Sequence, residues 1–594
     1  MSHSPQLTDR KTTVYLAMIL MATLLAFSPS VANGFTMDDR AIAATQYEDG
    51  RPNPMISVLR PISEYFSSHY WRGHKAASDL YRPITVLSYA VVARLGNSRS
   101  GRAIAQHGVN VALNVLATWL AFLLLLTLLG SPGPSLVGAA VFGLHAIHTE
   151  AVCSIAGRAE VLAFGFGAGA TLLLHRWATA RSERASLRLG NALLAGAGFL
   201  AFCAFCSKES AVVWTVFAPL TLAATRSPRR IVAPTAILAL AMLAFLALRW
   251  QALAGVGQSH HVLYLVNPLA HANALTRIGT GILLLAYGLL KTLLPIGLVS
   301  DYGVGVFTLA ESVSDPRVLA SLALLLTIVT LAVVRLVRHD PIPLLAVSAF
   351  LGFAFLTSNI PFPIGTIFGE RLYYTPSLGL AIVAAWLAGR VRTPSAKILG
   401  ASILGIWLAG STFVIVTRSL AWKNNATLFA TDAARQPDSA RLAYGAALAE
   451  RDPIARRALL QRALRAFPGY VAAHNALAVD ALRAGEPGIA EAHLREALTS
   501  PQLDESREGF DIRANLLPIL LTSGRTRAAA KLIDELERLN PARLTELLTR
   551  IPALAQQLEQ AGKTKGANDI WQLIRRDGRF SPSAKAAADH ARDK

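Results

Sequence analysis

The sequence predicts an all-α protein in two parts: a polytopic membrane helix bundle of about 11 crossings, then a short α-solenoid of tetratricopeptide type. Three observations carry this. The 594 residues are 53% hydrophobic and only 16% charged, with a mean hydropathy of +0.41, whereas average protein composition is about 25% charged. Apolar runs near the ~20 residues that span a bilayer recur from residue 14 to residue 417. Beyond Thr417 charge rises and small residues fall at a repeat spacing. A soluble cytosolic enzyme, a disordered chain and a disulfide-rich secreted scaffold are excluded. Cys153, Cys203 and Cys206 are too few for a disulfide framework, and the latter two sit in an apolar helix as small packing groups.

Val14 to Val31 follows Arg10 and Lys11 and reads as an uncleaved first helix, so residues 1–33 form the first transmembrane element. Residues 34–103 are a polar loop outside the cytoplasm. A multi-span domain over 104–425 holds apolar runs at 104–129, 134–150, 158–176, 190–206, 208–224, 231–250, 274–295, 317–336, 342–358, 373–389 and 397–417. Lipid offers no partner to unpaired backbone, so every run must be helical. Four basic clusters orient them: Arg176, Arg181, Arg184 and Arg188; Arg226, Arg229 and Arg230; Arg335 and Arg338; Arg390, Arg392 and Lys397. All four fall on the cytoplasmic side if 274–295 is re-entrant or interfacial, with the N-terminus inside and the C-terminus outside. The net charge of +20 is therefore assigned to topology. No nucleic-acid partner is expected, because no basic patch carries interleaved aromatics.

Residues 426–580 are read as about three imperfect helical repeats. Ala478, Ala490 and Ala497 have the small-residue spacing of a tetratricopeptide hairpin, with Gly485-Glu486-Pro487 at its turn and Pro501 beyond it. Flanking pairs are placed at about 441–466 and 508–539, and 581–594 is read as a flexible tail.

On this topology the polar motifs gather on the outer face: Asp38 and Asp39; His145, His148 and Glu150; Arg158 and Glu160; Lys208 and Glu209; Asp301; and Glu370, Arg371 and Tyr373. Ionisable groups near membrane depth are costly and usually line a functional cavity. Plainer readings exist for each motif. The two aspartates suit a solvated loop or an N-cap, Lys208 and Glu209 an ion pair at a turn, and Tyr373 an aromatic belt. His145, His148 and Glu150 suit a metal, but they are too few for a site to be assigned, and the need for a divalent metal stays open. No Walker lysine loop, GxSxG elbow or GxGxxG opening after a strand is present, so ATP-driven transport and serine hydrolysis have no support.

The motifs together resemble the transmembrane and tetratricopeptide-repeat containing (TMTC-like) O-mannosyltransferases and their bacterial homologues, within the C-type glycosyltransferase (GT-C) class. The resemblance covers roughly residues 35–430. It runs through Asp38-Asp39, Ile62–Phe66, Tyr70-Trp71, Ser78–Ser88, His107 with Asn110, Phe142–Val152, Gly157–Glu160, Ser207-Lys208-Glu209, Asn267–Ala270, Ser300-Asp301-Tyr302, Ser358–Ile360 and Gly369–Ser377. Each piece is weak alone; in this order the set is specific. The chain departs from the family pattern at Ala44 and Thr45, at His145-Ala146-Ile147-His148 and at Ser78-Asp79-Leu80.

The resemblance implies a GT-C membrane bundle that takes one sugar, mannose or another hexose, from a polyprenyl- or dolichyl-phosphate carrier. The sugar passes to Ser or Thr hydroxyls of a polypeptide on the non-cytoplasmic side. It implies Asp38 as general base, Asp39 as its helper or an acceptor ligand, and inversion at the anomeric carbon. Arg371 is the first candidate for the leaving phosphate, with Arg82, Arg158 and Lys208 as alternatives. His145, His148, Glu150, Glu160, Glu209, Asp301, Glu370 and Tyr373 complete the cavity. No tightly bound cofactor is expected beyond the lipid-linked donor. The expected partners are membrane lipid and an acceptor chain held by the repeats. The Ala- and Arg-rich composition reads as bacterial, placing the protein in an inner membrane with site and repeats in the periplasm. Two other readings stay open: transfer to a glycan or lipid acceptor, and a non-catalytic scaffold built on the repeats.

Overall fold

The computed structural model describes residues 10–74, 79–182, 187–225, 231–254, 262–503 and 508–592. Ser78, Arg184, Arg226, Arg229 and Arg230, all used above, lie outside them. The described residues contain helices and no strand, only an isolated bridge between Gln46 and Pro52. They form two compact units, 1–303 with 307–436, and 437–594 with Val304–Val306.

In the first unit the helices run α1 (Arg10–Phe27), α2 (Asp39–Ala43), α3 (Ile62–Phe66), α4 (Pro83–Val92), α5 (Arg99–Leu129), α6 (Pro132–Gly143), α7 (Thr149–Cys153), α8 (Arg158–Ser182), α9 (Leu187–Ser207), α10 (Trp214–Thr225), α11 (Val232–Leu253), α12 (Ala274–Leu293), α13 (Pro316–Val337), α14 (Ile342–Phe355), α15 (Leu378–Ala388), α16 (Pro394–Ala421) and α17 (Asn425–Arg435). Their ends follow from local chemistry. Ser98 Oγ accepts from Gly101 N–H to start α5, and Gly130 ends it in the left-handed region at φ 65°. Asn273 caps α12, and Thr393 caps α16 ahead of a proline.

Eight of these helices, α1, α5, α8, α9, α11, α12, α13 and α16, are long and apolar enough to cross a membrane. The pair α6–α7, bent by 44°, passes the same test taken as one broken element, a span or a re-entrant loop. The remaining apolar runs of the sequence reading are shorter as helices. The run 208–224 divides into a tight turn, Glu209–Val213, and the 12-residue α10. The other two become α14, with 14 residues, and α15, with 11. The run 274–295, expected to be re-entrant or interfacial, contains one unbroken 20-residue helix, α12. The broken element is α6–α7, and its bend carries His145 and His148.

An aromatic cluster of Phe142, Phe164, Trp214, Phe217, Phe353 and Tyr374 centres the bundle where α6, α8, α10 and α14 meet. Gly288 on α12 lets the Tyr373 ring lie directly on its backbone, since a Cβ there would enter the ring. Described residues of 34–103 form a small cluster around Ile56, Tyr65, Tyr70 and Tyr89, joined by Ile155. α13 and α16 bury few residues and expose Leu319, Leu326, Leu331, Ile398, Ile403 and Ile406. Such a surface is at home in hydrocarbon.

The second unit contains α18 (Ala440–Ala449), α19 (Pro453–Ala466), α20 (Val471–Arg483), α21 (Pro487–Thr499), α22 (Gly509–Thr522), α23 (Thr526–Leu539), α24 (Pro541–Leu548), α25 (Ile551–Gln560), α26 (Thr564–Arg576) and α27 (Pro582–Arg592). α18 packs on α19, α20 on α21 and α22 on α23. In the middle pair Ala478, Ala490 and Ala497 are all fully buried, and Gly485 makes the turn at φ 77°.

Two boundaries differ from the sequence reading. The units divide at 436/437, because α17 is held in the first unit by the buried Arg418–Asp432 ion pair. Residues 582–592, read as a flexible tail, form α27, which buries Ala584 and Ala588 in the core of the second unit.

Candidate active site

The loop bearing the two aspartates is pinned by the far end of the first unit. Asn33 Nδ2 donates to the Ser419 carbonyl at 2.9 Å, Gly34 N–H to the Lys423 carbonyl at 2.9 Å, and Met37 N–H to Asn425 Oδ1 at 2.8 Å. Met37 sits at φ 44°, a left-handed conformation that costs a residue with a Cβ. Strain of this kind persists where the surroundings over-determine it, and the next residue is Asp38.

The adjacent aspartates have opposite surroundings. Asp39 is fully buried. Its Oδ2 accepts from Thr36 N–H (3.1 Å) and Oγ1 (3.0 Å), and its Oδ1 from Ala156 N–H (2.8 Å) and Ser154 Oγ (3.1 Å). With both oxygens used, Asp39 is a clasp between the 36–39 turn and the 154–156 turn. It has no oxygen turned toward an acceptor, which sets aside the acceptor-ligand part of the expectation but not the helper role. Burial outweighs these bonds and raises its pKa to about 6. Asp38 is exposed and makes no capping hydrogen bond. Its charge acts on Arg371 and on Tyr70.

Around Asp38 three cations each meet a carboxylate. Arg371 pairs with Glu150, which also accepts the Arg371 backbone N–H at 2.9 Å. Lys208 pairs with Glu160. Arg82 Nε donates to Glu209 Oε2 at 2.9 Å, the Tyr81 N–H donates to Oε1 at 2.9 Å, and the Arg82 guanidinium lies over the Tyr70 ring at 5.0 Å. The three pairs form one electrostatic group, since Arg82, Arg371, Glu209 and Glu150 all act on Lys208. Side-chain exposure ranks the cations as phosphate ligands: 37% for Arg371, 17% for Arg82 and 7% for Lys208. Glu150 holds the Arg371 pKa above its ordinary value, so this exposed guanidinium stays charged.

Arg158 is not among the reachable cations. It is fully buried, donates to Asn110 Oδ1 (2.7 Å), the Gln106 carbonyl (2.8 Å) and Ser88 Oγ (3.3 Å), and covers the Tyr89 ring at 4.9 Å. It braces α4, α5 and α8 behind the site.

The other residues expected in the cavity divide. Glu150, Glu160 and Glu209 are in the charged group just described. His145 and His148 are buried: His148 Nε2 meets Ser377 Oγ at 2.8 Å and its ring lies 4.2 Å from that of Tyr374, while His145 meets Trp407 edge-on at 5.2 Å. With Glu150 committed to Arg371, these three do not converge. Among the described residues no three His, Cys, Asp or Glu are grouped to hold a metal. Tyr373 is a packing residue whose hydroxyl donates to the Leu284 carbonyl at 3.1 Å. Asp301 is buried and caps its own turn through Gly303 N–H at 3.1 Å. Glu370 is buried behind Arg371, with Oε1 accepting from Tyr302 OH (2.7 Å) and Val299 N–H (2.5 Å), and burial raises its pKa to about 8.

Sequence reasoning quoted Tyr70 only within the resemblance, without placing it within electrostatic reach of Asp38, and missed the buried Arg418–Asp432 pair, whose Asp432 also accepts Ser300 N–H at 2.7 Å. Arg418 carried a readable signal, a cation inside an apolar 28-residue helix.

No family model matches the chain. It is similar to several curated proteins. One is the Caenorhabditis elegans protein O-mannosyl-transferase F38B6.6, at 22% identity over 440 residues, covering 72% of this chain and 59% of that protein. Another is the Mus musculus protein O-mannosyl-transferase TMTC4, at 25% over 471 residues, covering 71% and 62%. The Drosophila melanogaster protein O-mannosyl-transferase Tmtc1 matches at 35% over 133 residues, 22% of this chain and 14% of that one. The chain thus spans at most about three-fifths of the length of these relatives. Among solved structures, the Archaeoglobus fulgidus oligosaccharyltransferase tethered to an acceptor peptide aligns with a TM-score of 0.37 at 10% identity, covering 70% of this chain and 55% of that one.

Proposed function

We propose that the chain is an integral-membrane glycosyltransferase that moves one hexose, mannose first among them, from a polyprenyl-phosphate carrier to a Ser or Thr hydroxyl of a polypeptide. Similarity to protein O-mannosyl-transferases over about 70% of the chain supports the class. The observation that carries the mechanism is the pairing of an exposed, unclasped Asp38 with the half-exposed Arg371 whose charge it feels.

In the proposed reaction the acceptor oxygen attacks the anomeric carbon while Asp38 takes its proton, so a carboxylate becomes a carboxylic acid. The bond from that carbon to the phosphate oxygen breaks, and the lipid phosphate leaves with the electron pair. Arg371 and Arg82 meet its charge, the first with a guanidinium fork suited to two phosphate oxygens. A single displacement inverts the anomeric centre. Lys208 and the carboxylates Glu150, Glu160 and Glu209 hold the cations in register. The second unit would present the acceptor chain, and the site would face the periplasm of a bacterial inner membrane.

The test is transfer by the purified full chain from polyprenyl-phosphate mannose to an envelope extract, read by intact and peptide mass spectrometry. Addition of one hexose to Ser or Thr is expected, with loss of at least a hundredfold in Asp38→Asn at unchanged folding. Sugar on a glycan or lipid alone would replace the protein acceptor. Full cellular function in Asp38→Asn would replace catalysis by scaffolding.

A further inference from the structure

The basic clusters after α13 and α15 were read from sequence as topology signals, and nothing in the proposed reaction uses them. The fold brings them together. Asp340, just beyond α13, accepts from Trp386 Nε1 at 3.0 Å and from Arg390 at 2.5 Å. The Arg390 guanidinium lies 4.2 Å from the Trp386 ring centre, and that of Arg335 lies 5.6 Å from it. Arg338, Arg392 and Lys397 are exposed close by in sequence, on the turn after α13, the turn after α15 and the start of α16. Segments 331–342 and 384–400 hold these five cations and one acid, Asp340.

This rim lies away from the candidate active site. α15 starts at Leu378, shortly after Tyr373 and Tyr374, and Trp386 sits near its other end, about 12 Å along the helix. It borders α13, whose exposed residues Leu319, Leu326, Leu331 and Val337 present a long apolar surface. Orienting a span requires only charge on a loop. Two guanidiniums stacked on one indole, one of them tied by a carboxylate, is more order than topology needs. Guanidiniums ordered in advance lose less freedom when they grip an anion.

We propose that Arg335 and Arg390 over Trp386, with the exposed Arg338, Arg392 and Lys397 that flank them in sequence, bind the phosphate headgroup of an anionic membrane lipid whose chains lie along the apolar surface of α13. The proposal rests on the membrane reading of the chain and is independent of sugar transfer.

The full chain in neutral detergent is offered phosphatidylglycerol, phosphatidylcholine or inorganic phosphate, and retention is read by native mass spectrometry at low and high salt. Phosphatidylglycerol is expected to be retained preferentially, to be released by salt, and to be held about tenfold less by Arg335→Ala/Arg390→Ala. Asp340→Asn keeps an oxygen for Trp386, removes the one acid and is expected to tighten retention. Equal retention of the two lipids overturns the proposal, as does an unaltered affinity in the double variant with an unchanged unfolding midpoint. If the double variant fails to fold, Arg335→Lys/Arg390→Lys keeps the charge but loses the planar stack. A severalfold loss of retention there supports the ordered site, and no loss overturns it. Inorganic phosphate binding as well as the lipid would make this a free-anion site and also overturn it. Sugar transfer is not read, so a chain that retains phosphatidylglycerol but transfers no sugar refutes only the transferase.

Discussion

At the residue scale, two neighbouring aspartates have opposite surroundings, and pH reports on the buried one. Asp39 is buried with its pKa raised to about 6, against an ordinary aspartate value of about 3.9. For an acid raised in the folded state, the contribution to stability is fully present below about pH 4 and is lost as pH rises through about 6, amounting to roughly 3 kcal/mol. Thermal unfolding in detergent across this window should fall with pH for the wild-type chain relative to Asp39→Asn, and the difference should be flat above about pH 7. The sequence displayed both acids but not which one turns inward. That depends on Ser154 and Ala156, more than a hundred residues away along the chain. The same limit applies to Arg158 and Arg371, both readable as phosphate ligands. Only the packing of Tyr89, Asn110 and Gln106 reveals that the first has no free face.

At the scale of elements, hydropathy located the helices well, because apolar runs in lipid have no alternative to helix. It overestimated α10 and α15, since the turns at 209–213 and 370–373 take the start of each run, and α14 stops at Phe355, three residues short of its run. Close approach between elements is equally silent in sequence. Gly288→Ala drives a methyl group into the Tyr373 ring, and a loss of about 1–3 kcal/mol is expected, seen as a lowered unfolding midpoint. In the second unit Arg525, ahead of α23, grips Glu491 of α21 with two bonds of 2.6 and 2.5 Å, and Arg495 adds a third at 2.8 Å. The first of these partners holds the Glu491 pKa down to about 2. Its contribution is therefore present above the ordinary glutamate value and lost as pH falls through about 2. With Arg525 more than a third exposed, Glu491→Gln is expected to cost only about 1 kcal/mol at neutral pH, a difference from the wild-type chain that shrinks below about pH 4.

At the scale of the whole molecule, the two-part organisation was legible because composition changes after the last span. The division itself was misplaced because α17 looks soluble in sequence, and only the burial of Asp432 against Arg418 claims it for the first unit. Removing residues 437–594 tests the proposed division of labour. Transfer to a short Ser/Thr peptide is expected to persist while transfer to a protein acceptor falls at least tenfold, with peptide and protein products compared by mass spectrometry.

The bonds from Asn33 and Met37 to Ser419 and Asn425 join segments 386 and 388 residues apart. On the ribosome, the Asp38 loop emerges well before the groups that lock it, which follow 386 and 388 residues later. Throughout that interval the loop lacks its clamp, and contacts of such separation close late. A chain stalled before residue 419 would carry every cation and carboxylate of the site and still be unable to set its base. Activity would therefore report that synthesis has passed α16 and reached Asn425.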